Sequence, residues 1–218
     1  MASDRKGSAI VIMGVSGSGK STVAALLGKN LGCGFLEADD FHPRSNKELG
    51  VIVLWACKDS KAIEYQLTDH SFVLKNAEKM SKGIPLTDED RTPWLESLQN
   101  ATREKILNGE TVVLTCSALQ KRYRDVLRAS DPDYEAGNHD CRVKFVCLTA
   151  SKEVIFARVE RRAKEGKHFM HPELLQSQLD LLQVDESERV IMVDATDNPD
   201  SVVDIIQAQI IQNKAEVN

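Results

Sequence analysis

Residues 14–21 read Gly-Val-Ser-Gly-Ser-Gly-Lys-Ser, which is the pattern G-x-x-x-x-G-K-[ST]. In this pattern the glycines let the backbone curl, so that successive N–H groups point inward at an anion. The lysine can then reach the β- and γ-phosphates of a nucleoside triphosphate, and the serine hydroxyl can bind Mg²⁺. We expect the phosphates to be held by Gly14, Val15, Ser16, Gly17, Ser18, Gly19, Lys20, Ser21 and Thr22.

The segments on either side of this loop are those that the motif requires. Residues 9–13 are apolar and rich in β-branched side chains, which predicts a buried strand. Residues 22–31 carry apolar side chains at helical spacing, and Gly32 follows them as a helix stop. A strand, a glycine-rich turn and a helix in this order place the loop at a helix N-terminus, where anions bind.

Carboxylates follow the next predicted strand, residues 33–37. If strand alternation continues, Glu37 and Asp39 lie on one side, facing the loop. We predict that Glu37 holds Mg²⁺ through water and that Asp39, as a catalytic base, takes the proton of an acceptor hydroxyl. His42 and Arg44 come directly afterwards and are candidates to bind a polyol or a carboxylate. The alternative is a solvated acidic loop at a strand end.

Two basic groups stand further along the chain. Residues 117–125 place three cations in the first turns of a predicted helix capped by Ser117, which indicates either a bound anion or an ordinary solvated face. Arg158 and Arg162 belong to the second group, which ends a helix before a glycine-containing loop. We expect these two arginines to serve the nucleotide, and residues 164–172 to form a lid over the transferring phosphoryl group.

Strand and helix patterns alternate along the chain. Alternating elements with nearly continuous apolar strands predict a three-layer α/β fold, with a five-stranded, mostly parallel sheet and helices on both faces. The nucleotide is then expected at the carboxyl ends of the strands. The predicted strands are residues 9–13, 33–37, 111–116, 142–148 and 189–194. The helices after the first are predicted at residues 92–108, 118–129, 151–165, 172–183 and 199–213.

Composition narrows the class of protein. The net charge of −5 and the pI near 5.6 argue against a nucleic-acid or membrane-surface protein, because both usually carry a basic excess. The N-terminus is polar, unlike a secretory signal, and no stretch has the roughly 18 apolar residues of a membrane span. The five cysteines are unclustered, which indicates reduced thiols rather than disulfides or a zinc site. We therefore expect a cytoplasmic protein.

Three kinds of protein use such a phosphate-binding loop. A guanine-specific GTPase needs N-K-x-D, and the N-K sequences that begin at Asn46 and Asn213 both lack the aspartate. A motor or transporter ATPase needs an acid after an apolar strand to hold Mg²⁺. The candidate acid, Asp194, follows the last predicted strand, which we expect to lie away from the loop. A small phosphotransferase remains, whose catalysis rests on positioning and charge neutralisation.

Several blocks of sequence, taken in order, carry a more specific signal. The phosphate-binding loop is shared by many families, whereas Gly-Ile-Pro-Leu at 83–86 and Cys-Ser-Ala-Leu at 116–119 are specific. The accompanying blocks are residues 39–43, 87–95, 123–125, 166–170 and 174–178. Together they resemble the gluconokinases of the shikimate-kinase-like type over nearly the whole chain.

The resemblance implies ATP-dependent phosphorylation of D-gluconate at its 6-hydroxyl, giving 6-phosphogluconate for the pentose phosphate route. It also implies an adenylate-kinase-like core, a mobile lid and a homodimer. Arg91 lies in one of the shared blocks and joins His42 and Arg44 as a candidate to hold the sugar acid. Members of the family usually carry Asp where this chain has Glu37, a longer arm that is compatible with water-mediated binding of Mg²⁺.

Residues 47–76 depart from the family pattern. In the family the His-Pro-x-x-Asn stretch, which ends here at Asn46, runs almost directly into Glu-Lys-Met, which here begins at Glu78. We expect one domain over residues 1–218, with residues 47–76 inserted beside the acceptor site. The insertion is either a late addition, tolerated because long loops cost little closure entropy, or a substrate-binding elaboration.

Two other functions stay open on the sequence. The acceptor could be shikimate or another small hydroxy acid. Alternatively, the chain could be an ATP-binding module that is inactive because the insertion displaces the acceptor pocket. The intact carboxylate pair and the lid arginines favour the active kinase.

Overall fold

The computed structural model of the protein describes residues 7–41, 86–165 and 174–215. Its centre is a five-stranded sheet with the strand order β2-β3-β1-β4-β5, in which every neighbouring pair is parallel. The predicted strands and the parallel sheet are therefore confirmed. The strands are β1 Ser8–Met13, β2 Gly34–Glu37, β3 Thr111–Thr115, β4 Val143–Thr149 and β5 Ile191–Asp194.

Helices alternate with these strands. Within the described ranges, every helix is too short or too polar to cross a membrane. Two short 3₁₀ turns, Ala38–Phe41 and Glu186–Glu188, complete the regular structure of this part of the chain. The helices are α1 Lys20–Leu31, α2 Asp88–Leu107, α3 Lys121–Arg128, α4 Lys152–Lys164, α5 Leu174–Leu181 and α6 Pro199–Ala215.

Side chains of the central strand β1 alternate between the two faces of the sheet, and each face packs against a different set of helices. Val11 lies in one buried cluster, together with Leu98 of α2. Ile12 lies in the cluster on the other face, together with Leu27 of α1 and Val203 of α6. The sheet is thus covered on both sides, which confirms the three-layer α/β prediction and explains the continuous apolar strands.

Local signals set the ends of the first two helices. Gly32 follows α1 with φ 61°, a left-handed backbone that glycine adopts readily, and its N–H bonds the carbonyl of Lys29. Helix α2 begins four residues before the predicted start at residue 92, because Thr87 and Asp90 form a capping box. Its two hydrogen bonds, from each backbone N–H to the other side chain, measure 3.3 and 2.8 Å.

The last strand lies where the sequence led us to expect it. β5 is at the edge of the sheet, and β4 separates it from β1 and the phosphate-binding loop. Asp194, at the end of β5, accepts a hydrogen bond from the backbone N–H of Thr196 at 2.8 Å. Asp194 is therefore a loop-forming residue, as expected.

The predicted start of the next helix, α3, is also wrong. A helix over residues 118–129 with Ser117 as its N-cap was expected, but α3 begins at Lys121, with Gln120 in the N-cap position. The residues between β3 and α3 form an irregular loop in which Ala118 has φ 41°, an uncommon value for a residue with a side chain.

Backbone groups of this loop bond to partners outside the helix, which explains the late start of α3. The carbonyl of Ser117 accepts a hydrogen bond from the N–H of Gly14, at 3.3 Å. The carbonyls of Ala118 and Leu119 accept from Nη1 of Arg124, at 2.8 and 3.0 Å. The loop is thereby held against the phosphate-binding loop.

Candidate active site

The phosphate-binding loop joins β1 to α1 at the carboxyl end of the central strand. Gly14, Gly17 and Gly19 have φ values of 136°, 82° and 98°, a region that other residues rarely adopt. A Cβ added to Gly17 would lie 2.7 Å from Cγ2 of Val159 in α4, so no side chain fits there. This backbone has the curl that the motif predicts, at the N-terminus of a helix.

Lys20 is partly buried at the start of α1, where its Nζ donates a hydrogen bond to the carbonyl of Val15 at 2.9 Å. Burial lowers the pKa of Lys20, and the charge of Arg162 adds to this, whereas the carboxylates of Asp39 and Glu37 act in the opposite direction. In the described part of the chain, no carboxylate lies within ion-pair distance of Lys20. Among the described residues its ammonium group is thus held by a neutral carbonyl, which a phosphate oxygen can replace.

Glu37, the last residue of β2, lies beside the start of α1. Its carboxylate accepts a hydrogen bond from the hydroxyl of Thr115, at the end of β3, and it interacts with the hydroxyl of Ser21, in the first turn of α1. Burial raises the pKa of Glu37, while these two hydroxyls and Lys20 act to lower it. The two predicted magnesium ligands, Ser21 and Glu37, are thus neighbours, and both offer the hard oxygen atoms that Mg²⁺ prefers.

Asp39 lies in the 3₁₀ turn that follows β2, so the strand alternation assumed for it is wrong. It is exposed, and its charge nevertheless acts on Lys20. Both backbone groups of the preceding Ala38 are held by other elements. Its N–H donates to Oγ1 of Thr115 at 3.2 Å, and its carbonyl accepts from Nε1 of Trp94 in α2 at 2.9 Å. These bonds fix the turn that presents Asp39.

Arg91 lies near the start of α2, where its Nε donates a hydrogen bond to the carbonyl of Leu86 at 3.4 Å. Its guanidinium lies 5.8 Å from the ring centre of Tyr123. The charges of Lys20, Asp39 and Arg91 all act on the buried thiol of Cys116, at the end of β3, whose pKa burial raises to about 12. The phosphate-loop lysine, the predicted base and a predicted acceptor arginine are therefore all within electrostatic range of the end of β3.

The two arginines of α4 that were predicted to serve the nucleotide lie in different surroundings. Arg162 contributes to the electrostatic environment of Lys20, so it lies on the side of the phosphate-binding loop. Arg158 instead donates a hydrogen bond to the carbonyl of Ala195 at 2.8 Å, in the loop between β5 and α6. Outside the described residues lie His42, Arg44, the insertion at 47–76, and residues 166–172 of the predicted lid.

The sequence offered two interpretations of the basic block at residues 117–125, a bound anion or a solvated face. Neither of them describes all of its cations. Lys121 and Arg122 are exposed and form ion pairs with carboxylates of the protein itself. Arg124 is fully buried and pairs with Glu188. The interpretation as a solvated face is therefore wrong for Arg124, whose charge is neutralised inside the protein.

Three residues that the sequence did not single out for a role shape the site. Thr115 holds Glu37, and Trp94 holds the acidic turn. Gln178 of α5 accepts a hydrogen bond from the backbone N–H of Ser16, inside the phosphate-binding loop, at 2.7 Å. These contacts join elements that are distant along the chain, so no local pattern reveals them. Trp94 and Gln178 had a signal of another kind, because each lies in one of the blocks that resemble the family.

Known proteins resemble this chain in both sequence and fold. A family model described as an AAA domain matches residues 10–184. A gluconokinase of Arabidopsis thaliana is 46% identical over 204 residues, which cover 93% of this chain and 92% of that protein. The solved structure of a gluconokinase from Sinorhizobium meliloti 1021 matches with a TM-score of 0.67 and 34% identity, covering 98% of this chain and 96% of that one.

A more distant structure shares the fold alone. The shikimate kinase from Acinetobacter baumannii, solved in complex with shikimate, has a TM-score of 0.56 at 16% identity and covers 95% of this chain and 94% of that one. The expected shikimate-kinase-like architecture is thereby confirmed. At 46% identity over nearly the whole of both chains, and with the five-stranded fold of a gluconokinase, the chain belongs to the gluconokinase family of P-loop kinases.

Proposed function

We propose that this chain transfers the γ-phosphoryl group of ATP to the 6-hydroxyl of D-gluconate, giving 6-phospho-D-gluconate. One observation carries the proposal. Lys20 lies at the N-terminus of a helix after a glycine-rich loop, its Nζ bonded to a neutral carbonyl, and the carboxylates of Glu37 and Asp39 are close enough to act on its pKa. The phosphates would bind to the loop and Lys20, whereas the metal and the acceptor alcohol would bind to the two carboxylates. The gluconokinase relatives indicate the identity of the alcohol.

Phosphate binding is expected at the N-terminus of α1 and at Lys20. The N–H groups at the start of α1 have no partner within the helix and carry the positive end of its dipole. On binding, Lys20 exchanges the carbonyl of Val15 for oxygens of the β- and γ-phosphates. The lysine then neutralises charge where it develops during transfer, which is the main catalytic contribution in this class of reaction.

Ser21 and Glu37 are proposed to hold Mg²⁺, with the hydroxyl as a direct ligand and the carboxylate acting through water. The interaction of the Ser21 hydroxyl with the Glu37 carboxylate supports this, because it brings two hard oxygen donors near one another. When bound, Mg²⁺ supplies neutralisation of the phosphate charge. Thr115 orients the Glu37 carboxylate from behind.

Asp39 is proposed as the base that accepts the proton of the acceptor hydroxyl. Arg91 is proposed to bind the carboxylate of gluconate, and this is supported because its charge, like that of Asp39, acts on Cys116 at the end of β3. His42 and Arg44 are proposed to hold the hydroxyls of the acceptor, on the basis of the sequence alone.

Arg162 is proposed to stabilise charge on the transferring phosphoryl group, because it already acts on Lys20. Arg158 is proposed to contact the nucleotide from the side of the β5–α6 loop, where it binds the Ala195 carbonyl. Residues 164–172 are proposed as a lid on the sequence pattern alone.

Assembly and location are proposed by analogy with the family. We propose a cytoplasmic homodimer that supplies the pentose phosphate route, built from one domain over residues 1–218. Light scattering of the purified protein measures its mass directly, and a monomer would contradict the dimer. Residues 47–76 are proposed to be a tolerated addition, so that a chain lacking them retains gluconate-dependent turnover. If that deletion weakens gluconate binding, residues 47–76 belong to the acceptor site.

The direct test is ADP release by the purified protein with Mg-ATP and gluconate, shikimate or no acceptor. We expect turnover with gluconate alone, and 6-phosphogluconate as the product. The Asp39→Asn variant should lower kcat by about 10²- to 10⁴-fold, the range for loss of a general base, while leaving the affinity for Mg-ADP unchanged. Nucleotide binding without gluconate-dependent turnover would contradict the proposed function and favour an inactive ATP-binding module.

A further inference from the structure

Gln178 connects α5 to the phosphate-binding loop. Its side-chain amide oxygen, Oε1, accepts a hydrogen bond from the backbone N–H of Ser16, with 2.7 Å between the two atoms. The two residues are 162 positions apart along the chain. Only 9% of Ser16 is exposed to solvent. In this setting the glutamine takes the place of water as the partner of the N–H group.

The residues that surround this hydrogen bond are mostly apolar. Val15, the residue before Ser16, lies in a small buried cluster with Ile155 and Val159 of α4 and Leu175 of α5. Gly17, the residue after it, packs against Val159 so closely that a side chain would clash. The first half of the loop therefore rests on two helices, and Gln178 supplies a polar contact to its backbone.

The chemistry of the side chain suits a loop that binds phosphates. A buried N–H without an acceptor is unfavourable, so some acceptor is required at Ser16. A glutamine oxygen provides it without a net charge. A glutamate would provide it equally well, but it would also place a negative charge beside the negative phosphates, and like charges repel strongly where water is excluded.

We propose that Gln178 is a positioning residue for nucleotide binding. Its hydrogen bond holds the Ser16 backbone in the orientation that lets the rest of the loop bind phosphates, and its neutrality keeps the site attractive to a triphosphate. The inference rests on the proposed use of ATP but not on the identity of the acceptor.

The test compares four variants by titration of the purified protein with Mg-ADP, together with KM for ATP and gluconate and the midpoint of thermal unfolding. Gln178→Ala and the shape-matched Gln178→Met remove the hydrogen bond. Gln178→Glu keeps the acceptor and adds a charge. Gln176→Ala is the control, because Gln176 is exposed on the same helix and bonds Lys152 and Asp180 instead of the loop.

We expect the Met and Ala variants to bind Mg-ADP about 10-fold more weakly, the effect of one hydrogen bond of ordinary strength with its desolvated donor left unpaired. The Glu variant should unfold near the wild-type temperature but bind Mg-ADP at least as weakly as the Ala variant. KM for gluconate and the behaviour of Gln176→Ala should stay within twofold of wild type.

Three results would overturn the proposal. The first is a lower unfolding temperature in the Met variant with unchanged Mg-ADP affinity, which would make the contact purely structural. The second is full recovery of Mg-ADP affinity in the Glu variant. The third is a change confined to KM for gluconate, which would place Gln178 at the acceptor. Because Mg-ADP affinity is measured without acceptor, failure of gluconate turnover would count against the proposed function alone.

Discussion

Arg124 and Glu188 form a bidentate ion pair in the interior of the protein, although 64 positions separate them along the chain. Nε and Nη2 of the arginine donate to Oε2 and Oε1 of the glutamate at 2.8 and 2.6 Å, and their side chains are 0% and 1% exposed. The same guanidinium holds the carbonyls of Ala118 and Leu119, and Arg128 donates to Glu188 as well. This buried pair therefore anchors the loop that lies against the phosphate-binding loop.

Glu188→Gln should lower the free energy of unfolding by roughly 3 to 5 kcal/mol, because it leaves Arg124 buried without the carboxylate that pairs with it, whereas Arg128 keeps Asp125. Urea unfolding measures this change. Glu186→Gln is the matched control, since Glu186 is exposed in the same short turn and should change stability by less than about 0.5 kcal/mol. Equal effects of the two substitutions would contradict the importance of the buried pair.

The same glutamate predicts a pH dependence of stability. Burial opposes ionisation of Glu188, but the hydrogen bonds and charge of Arg124, the N–H of Asp185 and the charge of Arg128 outweigh it and lower its pKa to about 2 from an ordinary 4.5. Because the pKa of Glu188 is lower in the folded protein than in the unfolded chain, its ionisation stabilises the fold by about 3 kcal/mol at pH values well above 4.5. This contribution disappears as the pH falls from 4.5 toward 2. The stability difference between wild type and Glu188→Gln should therefore shrink in that range. A difference that stays constant from pH 6 to 3 would contradict the assignment.

Lys20→Met should reduce phosphoryl transfer by at least about 10²- to 10³-fold, the cost of losing one charge-stabilising donor. The same substitution should leave the stability of the nucleotide-free protein unchanged or raise it. Burial lowers the pKa of Lys20, so the charged lysine is less favourable in the folded protein than in the unfolded chain. Without nucleotide, the variant should unfold at the wild-type temperature or above it, and Mg-ADP should raise that temperature by less than in wild type. An equal rise with Mg-ADP would show that Lys20 does not bind phosphate.

Thr115→Val should raise the Mg²⁺ concentration needed for half-maximal activity by about 10- to 100-fold, the usual effect of removing a group that orients a metal ligand. The valine keeps the shape of the side chain but cannot donate to Glu37. Thr111→Val, on the same strand but at its other end, is the control and should leave the Mg²⁺ dependence unchanged. An unchanged Mg²⁺ requirement in Thr115→Val would argue that Glu37 does not support the metal.

Gly17→Ala should be more damaging to stability than Gly19→Ala. Both glycines have positive φ, but an added Cβ meets Cγ2 of Val159 at 2.7 Å only at position 17, and nothing lies within 4 Å of it at position 19. Adding Val159→Ala should therefore cost less in the Gly17→Ala background than in wild type, because it removes the clash. Thermal unfolding of the four proteins measures this coupling. Strict additivity of the two substitutions would contradict the steric cause.

Several features could be predicted because their signals are local. The phosphate-binding loop needs glycines, a lysine and a serine at fixed spacing between a strand and a helix, and the chain supplies all of them within residues 9–32. The three central strands, β3, β1 and β4, are apolar runs that are buried along most of their length, a pattern typical of a parallel sheet covered on both faces. Gly32 ended α1 as expected, for the same local reason.

The features that were not predicted depend on contacts between distant parts of the chain. A basic block such as residues 117–125 has the same local pattern whether its arginines face solvent or a buried carboxylate, and only folding brings Glu188 to Arg124. The turn at Asp39 is fixed by Trp94, and the Ser16 N–H by Gln178, over separations of 56 and 162 positions. The sequence by itself determined the phosphate-binding chemistry and the order of the elements, because both follow from short-range sterics and periodicity. The tertiary structure alone decided which buried polar groups are paired, because each needs a partner whose position is set by the whole chain.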